Sequence, residues 1–160
     1  MATSAKPDID HTVQLEKADH DMYGSTTLSA DFPVRLVVLE QQITADLMAS
    51  LYYTAADPYA VRLAFHPGVD APVEWVIARE LLTGGLDTYT GAGDVRVWPA
   101  EDDEPVVYIA LTSPSGNALF EAPRQVISDF VTSTARIVPL GGESAFLNID
   151  AELADLLDCA

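Results

Sequence analysis

The chain has 160 residues, of which 49% are hydrophobic, and its 25 acids outnumber 8 bases to give a formal net charge of −17. This length and apolar content suit one domain with a real core. The charge excludes the common routes to nucleic acid and anionic lipid, which depend on clustered lysine and arginine. Solubility accounts for most of the acids, and any partner is expected to be a protein surface. No window stays apolar for the ~18 residues that a spanning helix needs, so direct membrane insertion is not expected. The N-terminus has no basic start followed by an apolar run and does not read as a secretory signal. Cys159 is the only cysteine. It cannot form an intramolecular disulfide, which fits a reducing cytoplasm.

Residues 1–24 hold five acids, two lysines and two histidines with no steady apolar spacing. They read as a flexible arm, with a helical turn expected near 13–18. His11 and His20 lie close to Asp19 and Asp21, but zinc ligands come in tighter pairs with cysteines or further histidines. No metal site is assigned there.

Residues 25–39 predict a strand interrupted at Pro33, since proline cannot donate to a ladder. Residues 41–46 read as a connection, and 47–53 alternate as a second strand. Asp57-Pro58 marks a turn, because the residue before proline is pushed out of the helical region. A third strand at 59–66 follows and stops at Pro67-Gly68. A fourth, at 73–78, places Val73, Trp75 and Ile77 on one face. His66 has no nearby cysteine and no serine-nucleophile pattern, so a structural strand end is preferred over a general base.

Residues 79–82 predict one helical turn ended by Gly84-Gly85, because glycine accepts the left-handed conformation that stops helices. The glycine-rich stretch at 90–94 is not a phosphate cradle. Such loops open a helix, whereas this one opens an alternating strand at 95–98, stopped by Pro99. Residues 100–105 form an acidic tip without the spaced ligands of a calcium loop. The strand at 106–112 is apolar on both faces, which predicts burial on two sides, within the domain or by a second subunit. The turn at 113–116 lacks the Gly-x-Ser-x-Gly nucleophile elbow, and 117–121 completes a hairpin.

Pro123 starts a helix over about 123–136, with Val126, Ile127, Phe130 and Val131 as its apolar stripe. Asp150 is the expected N-cap of a last short helix. That helix sets Leu153, Leu156 and Leu157 against Glu152, Asp155 and Asp158. It either docks on its own domain or binds a partner. Four strands, a helical turn, three strands and a helix make an α+β domain over 25–160.

Four blocks carry a family resemblance: TAADPYAVRLAFHPG at 54–68, VEWVIARELL at 73–82, GAGDVRVWP at 91–99 and ALTSPSGNALFEAP at 110–123. In this order they resemble the SsgA-like proteins, small actinobacterial proteins of sporulation and cell division. The resemblance extends from about residue 25 to the C-terminus. It implies a whirly-like arrangement, with two antiparallel sheets closed into a barrel, and a homotrimer. It also implies a non-enzymatic role in the cytoplasm at division septum sites. There the protein would help position or recruit the tubulin-like FtsZ, beside other SsgA-like proteins.

The resemblance marks no contact residues. Residue chemistry alone nominates Tyr52, Tyr59, Arg62, Arg79 and Arg96 as surface protein contacts, since tyrosine and arginine are favoured at hot spots. Trp75 and Trp98 are expected in the core. No catalytic residue, cofactor or metal is assigned, because no nucleophile, paired base or ligand cluster stands out. The alternative is a whirly-like single-stranded nucleic-acid binder. Fold does not imply function, and Lys6, Lys17, Arg35, Arg62, Arg79, Arg96, Arg124 and Arg136 are scattered rather than striped.

Overall fold

The computed structural model describes residues 26–38 and 40–159. The arm at 1–24, with the expected helical turn and with His11, Asp19, His20 and Asp21, lies outside the described residues. Alternation drives the first half of the fold. Leu28, Ala30, Phe32 and Val34 of β1 (Thr27–Val38) are buried every second residue. Opposite them lie Tyr53, Leu51 and Ala49 of β2 (Ile43–Thr54), in an antiparallel register running from Thr27↔Thr54 to Val38↔Ile43. The next strand, β3 (Ala60–His66), continues the same rows with Leu63 beside Leu51 and Phe65 beside Ala49. Strand β4 (Val73–Ala78) adds Trp75 beside Leu63.

A short helix, α1 (Arg79–Gly85), leads to the second half. There β5 (Val95–Pro99), β6 (Val106–Ser113) and β7 (Gly116–Pro123) pair as an antiparallel meander. Helix α2 (Arg124–Ile137) buries Val126, Ile127, Phe130 and Val131 against α1, β1, β6 and β7.

The expected pair of sheets is one seven-stranded sheet in the order β4-β3-β2-β1-β7-β6-β5. Strand β1 is the reason. It pairs with β2 along its whole length, and its last part also pairs with β7, from Arg35↔Glu121 to Val37↔Leu119. Two hairpin sets are thereby fused. The sheet curls strongly without closing. Strands β3 and β7 are separated by β2 and β1, which in a flat sheet sets them ~14 Å apart. Yet the rings of Phe65 and Phe120 stack with centroids 4.0 Å apart. The result is a half-barrel whose hollow side holds the core.

Several local expectations are corrected. Strand β1 runs unbroken through Pro33, where β7 has not yet begun to pair. A proline facing that open edge removes no ladder bond. Strand β2 begins at Ile43 and absorbs most of the expected connection, through a tight turn with Gln42 at φ 52°. Gly84 and Gly85 lie inside α1 and do not have positive φ. The need at Gly85 is close approach: a Cβ there would lie 2.2 Å from Val97 Cγ1.

Within this one chain, strand β6 is buried on one face, through Val107, Ile109 and Leu111. Its outer face is half-exposed, and Tyr108 there stacks on Trp98 at 5.6 Å, which in turn stacks on Tyr89 at 5.2 Å. Trp98 therefore sits outside the core, while Trp75 is half-buried against it. The last helix, α3 (Ile149–Asp158), is capped by Asn148, whose Oδ1 accepts the Ala151 N–H at 3.2 Å. Asp150 belongs to its first turn. No residue of α3 is buried, so it does not dock on its own domain.

Gly85→Ala tests the close approach. Helix propensity alone favours alanine by up to ~1 kcal/mol. Overpacking against the fully buried Val97 costs ~1–3 kcal/mol. The expected outcome in denaturant unfolding is a lower midpoint. An unchanged or raised midpoint would mean that α1 can shift away from β5.

Candidate protein-interaction surface

On the outer side of the first four strands, registry aligns one row of side chains: Ser29, Tyr52, Arg62 and Val76. Together with Thr27, Thr54 and neighbours they line a groove of about 840 Å³. Tyr52 and Arg62 are direct cross-strand partners, and the Arg62 guanidinium lies 4.5 Å from the Tyr52 ring centroid. Such a contact is worth about 0.5–1 kcal/mol at an exposed site. It also holds the guanidinium in one place. Tyr59 is 50% exposed beside two lining residues, Asp57 and Ala60. Thus two of the five nominated contacts, Tyr52 and Arg62, line one surface, and Tyr59 is exposed elsewhere in the adjoining turn.

Arg96 lies on the other half of the sheet. It is half-buried, and its guanidinium donates to Thr112 Oγ1 at 3.4 Å.

Arg79 is not on the surface at all: it is 1% exposed. Its guanidinium donates to the carbonyls of Val138 at 2.7 Å and Thr134 at 3.4 Å, and pairs with Glu143 at 2.5 Å. It also sits 5.2 Å from the ring of Tyr53. The Val138 carbonyl lies just past the end of α2, where helix carbonyls lack intrahelical partners, whereas the Thr134 carbonyl also accepts the Val138 N–H at 2.9 Å. The hydrogen bond from Arg79 is the main cause holding the Glu143 carboxyl below the ordinary glutamate range. Burial raises the pKa of the Tyr53 hydroxyl, which donates to the Pro58 carbonyl at 3.0 Å.

The structure also joins Asp31, Ser50 and His66 across β1, β2 and β3. Ser50 Oγ donates to Asp31 Oδ1 at 2.5 Å and lies 2.8 Å from His66 Nε2. The single hydroxyl proton goes to the carboxylate, so Nε2 is the donor to Oγ. In a hydrolytic triad the histidine stands between serine and acid and accepts the serine proton. Here the serine stands in the middle, is buried, and faces no base. The trio ties three strands together. Sequence reasoning missed it because its members meet only through strand register.

Among the described residues, no three histidine, cysteine or acidic side chains gather to hold a metal ion. None of the described helices is long and apolar enough to cross a membrane. Helix α3 leaves Leu156 and Leu157 70% and 74% exposed.

The family described as "Streptomyces sporulation and cell division protein, SsgA" matches residues 47–143. The chain belongs to that family. Its relatives include the sporulation-specific cell division protein SsgB of Thermobifida fusca, 47% identical over 135 residues, covering 84% of this chain and 97% of that protein. A crystal structure of an SsgA-like protein from Thermobifida fusca superposes with a TM-score of 0.74 at 45% identity, over 82% of this chain and 96% of that one. A solved SsgB structure from work on Streptomyces coelicolor gives a TM-score of 0.72 at 46% identity, over 77% and 97%. That work describes SsgB mutations that correlate with longitudinal cell division during sporulation.

Two outcomes follow from this geometry. A carboxyl whose pKa is held down stabilises the fold above its unfolded value and loses this contribution as pH falls through the folded value. Thermal stability is therefore expected to fall on acidification below pH 4.5, the ordinary glutamate value. Glu143→Gln should lower stability at neutral pH and flatten that acid limb; an unchanged limb would show that other carboxyls set it. In contrast, Leu156→Ser with Leu157→Ser should leave the denaturation midpoint within about 0.5 kcal/mol of the parent, as exposed substitutions do. A loss of ~2 kcal/mol or more would mean that α3 is packed after all.

Proposed function

We propose that this chain is a non-enzymatic cell division protein of sporulation that helps position or recruit FtsZ at septum sites. The observation that carries this reading is the match across nearly the full length of a protein named sporulation-specific cell division protein SsgB. The protein works in the cytoplasm as a homotrimer, beside other SsgA-like proteins. A trimer presents one contact surface three times, which raises effective concentration without strong single contacts.

The contact surface is the outer groove with Tyr52, Arg62 and Tyr59, and Arg96 adds to it on the second half of the sheet. Tyr52 and Arg62 suit a hot spot, being a large ring and a guanidinium already held against each other. The Ser50 arrangement supplies no activated nucleophile, which agrees with a binding role. The nucleic-acid alternative gains nothing from the geometry. Arg35 and Arg124 are tied to carboxylates, and Arg79 is buried.

A fluorescent fusion in a Streptomyces coelicolor strain lacking its own SsgB tests the reading. Fluorescence is expected at septum sites during sporulation, with FtsZ recovered on the purified protein. Tyr52→Ala with Arg62→Ala should weaken FtsZ binding by about tenfold or more while the protein stays folded. Diffuse fluorescence together with no FtsZ recovered would overturn the proposal.

A further inference from the structure

The outer face of the second half carries a row of aromatic side chains that the Tyr52 groove does not use. The bridge from Thr90 to Val97 sets Tyr89 beside Trp98. Register then sets Trp98 beside Tyr108, and Tyr108 beside Glu121. The three rings stack in sequence with centroids 5.2 and 5.6 Å apart and interplanar angles of 29° and 27°. Tyr89 is 59% exposed, and Trp98 and Tyr108 are half-exposed. Each ring braces the next, so the row is ordered before anything binds, which lowers the entropic cost of contact. The Trp98 N–H and the two tyrosine hydroxyls have no hydrogen-bond partner among the described residues.

Charge sets a second requirement. Burial, and then the carboxylates of Glu121 and Glu104, raise the pKa of the Tyr108 hydroxyl, so both acids act on this end of the row. Glu121 shares Arg35 at 3.7 Å. Glu104 stands exposed in the acidic tip and has no ion pair among the described residues. Arg96 lies on the same face, but its guanidinium is turned to Thr112, at the end of β5 away from that tip.

These features favour one occupant. Nucleic-acid bases would stack on the rings, but their phosphates would meet acids rather than bases. A polyproline II segment fits on three counts. Proline rings dock against aromatic side chains. The carbonyls of such a segment make no internal hydrogen bonds and are free to meet the N–H and hydroxyl tips. Its three-residue turn rises about 9 Å, against about 10 Å for the two strand spacings from Tyr89 to Tyr108. A base in the segment answers Glu104.

We propose that the row of Tyr89, Trp98 and Tyr108 binds a proline-rich segment of a partner protein, with a lysine or arginine of that segment set against Glu104. The surface lies on the other half of the sheet from Tyr52 and Arg62. It goes beyond the division reading and stands whether or not FtsZ is the partner.

The test follows the indole N–H signal of Trp98 by NMR in the full chain while a synthetic polyproline peptide ending in two arginines is added. A saturable shift is expected. Tyr89→Ala removes an exposed ring, so it keeps the fold, and it should weaken binding about tenfold. Glu104→Gln should weaken the arginine-tailed peptide about threefold at low salt and leave an all-proline peptide unchanged. Four results would overturn the proposal: no saturable shift, an affinity unaffected by Tyr89→Ala, an arginine-tailed peptide that binds the Glu104→Gln variant as well as the parent, or tighter binding of oligothymidine or a cello-oligosaccharide than of the peptide.

Discussion

One buried guanidinium links most of the parts that this fold must hold in place. Arg79 begins α1, and its own N–H donates to the Tyr59 carbonyl at 2.7 Å, at the start of β3. Its side chain reaches the last carbonyls of α2, the Glu143 carboxylate in the turn beyond, and the face of Tyr53 on β2. Burying a charge is costly unless it is paired and hydrogen-bonded. Here the pairing partners come from segments 55 to 64 residues away. Only the assembled half-barrel supplies them, so the charge is tolerable in this arrangement and in few others. It also supplies a donor to the Val138 carbonyl just past the C-terminus of α2.

The curl of the sheet divides the two faces by task. Inside, rows such as Ala30, Leu51, Leu63 and Trp75 continue from strand to strand and meet α2. The stacking of Phe65 on Phe120 brings the two halves together across the hollow. Outside, the same registry places polar and aromatic side chains in rows of their own. The row of Ser29, Tyr52, Arg62 and Val76 is a by-product of strand pairing. Its neighbour, the trio of Asp31, Ser50 and His66, locks three strands by hydrogen bonds. A binding surface built on paired strands loses less freedom on contact than one built on loops.

Helix α3 is the exception to this economy. Its apolar residues are exposed, and its C-terminal turn has no base to set against its four acids. A ten-residue helix of this kind is marginal in isolation, so its cap at Asn148 matters more than usual.

The alternating strands, the two-turn fence around 59–66, the stripe of α2 and the absence of a nucleophile motif were all legible in the residues, because period and turn chemistry are local properties. The resemblance of four blocks to the SsgA-like proteins was legible too, and the family match agrees with it. The single sheet was not, because it depends on three residues of β1 pairing with β7 more than eighty positions later. Nor was the role of Gly85, which is set by Val97 rather than by its own φ. Arg79 and Arg62 show the same limit most clearly. As isolated residue types they were equal candidates for the surface. Tertiary structure alone sent one into the core, where carbonyls and a carboxylate could receive it. The other remained on an outward row over Tyr52, because strand parity fixed the direction of its side chain.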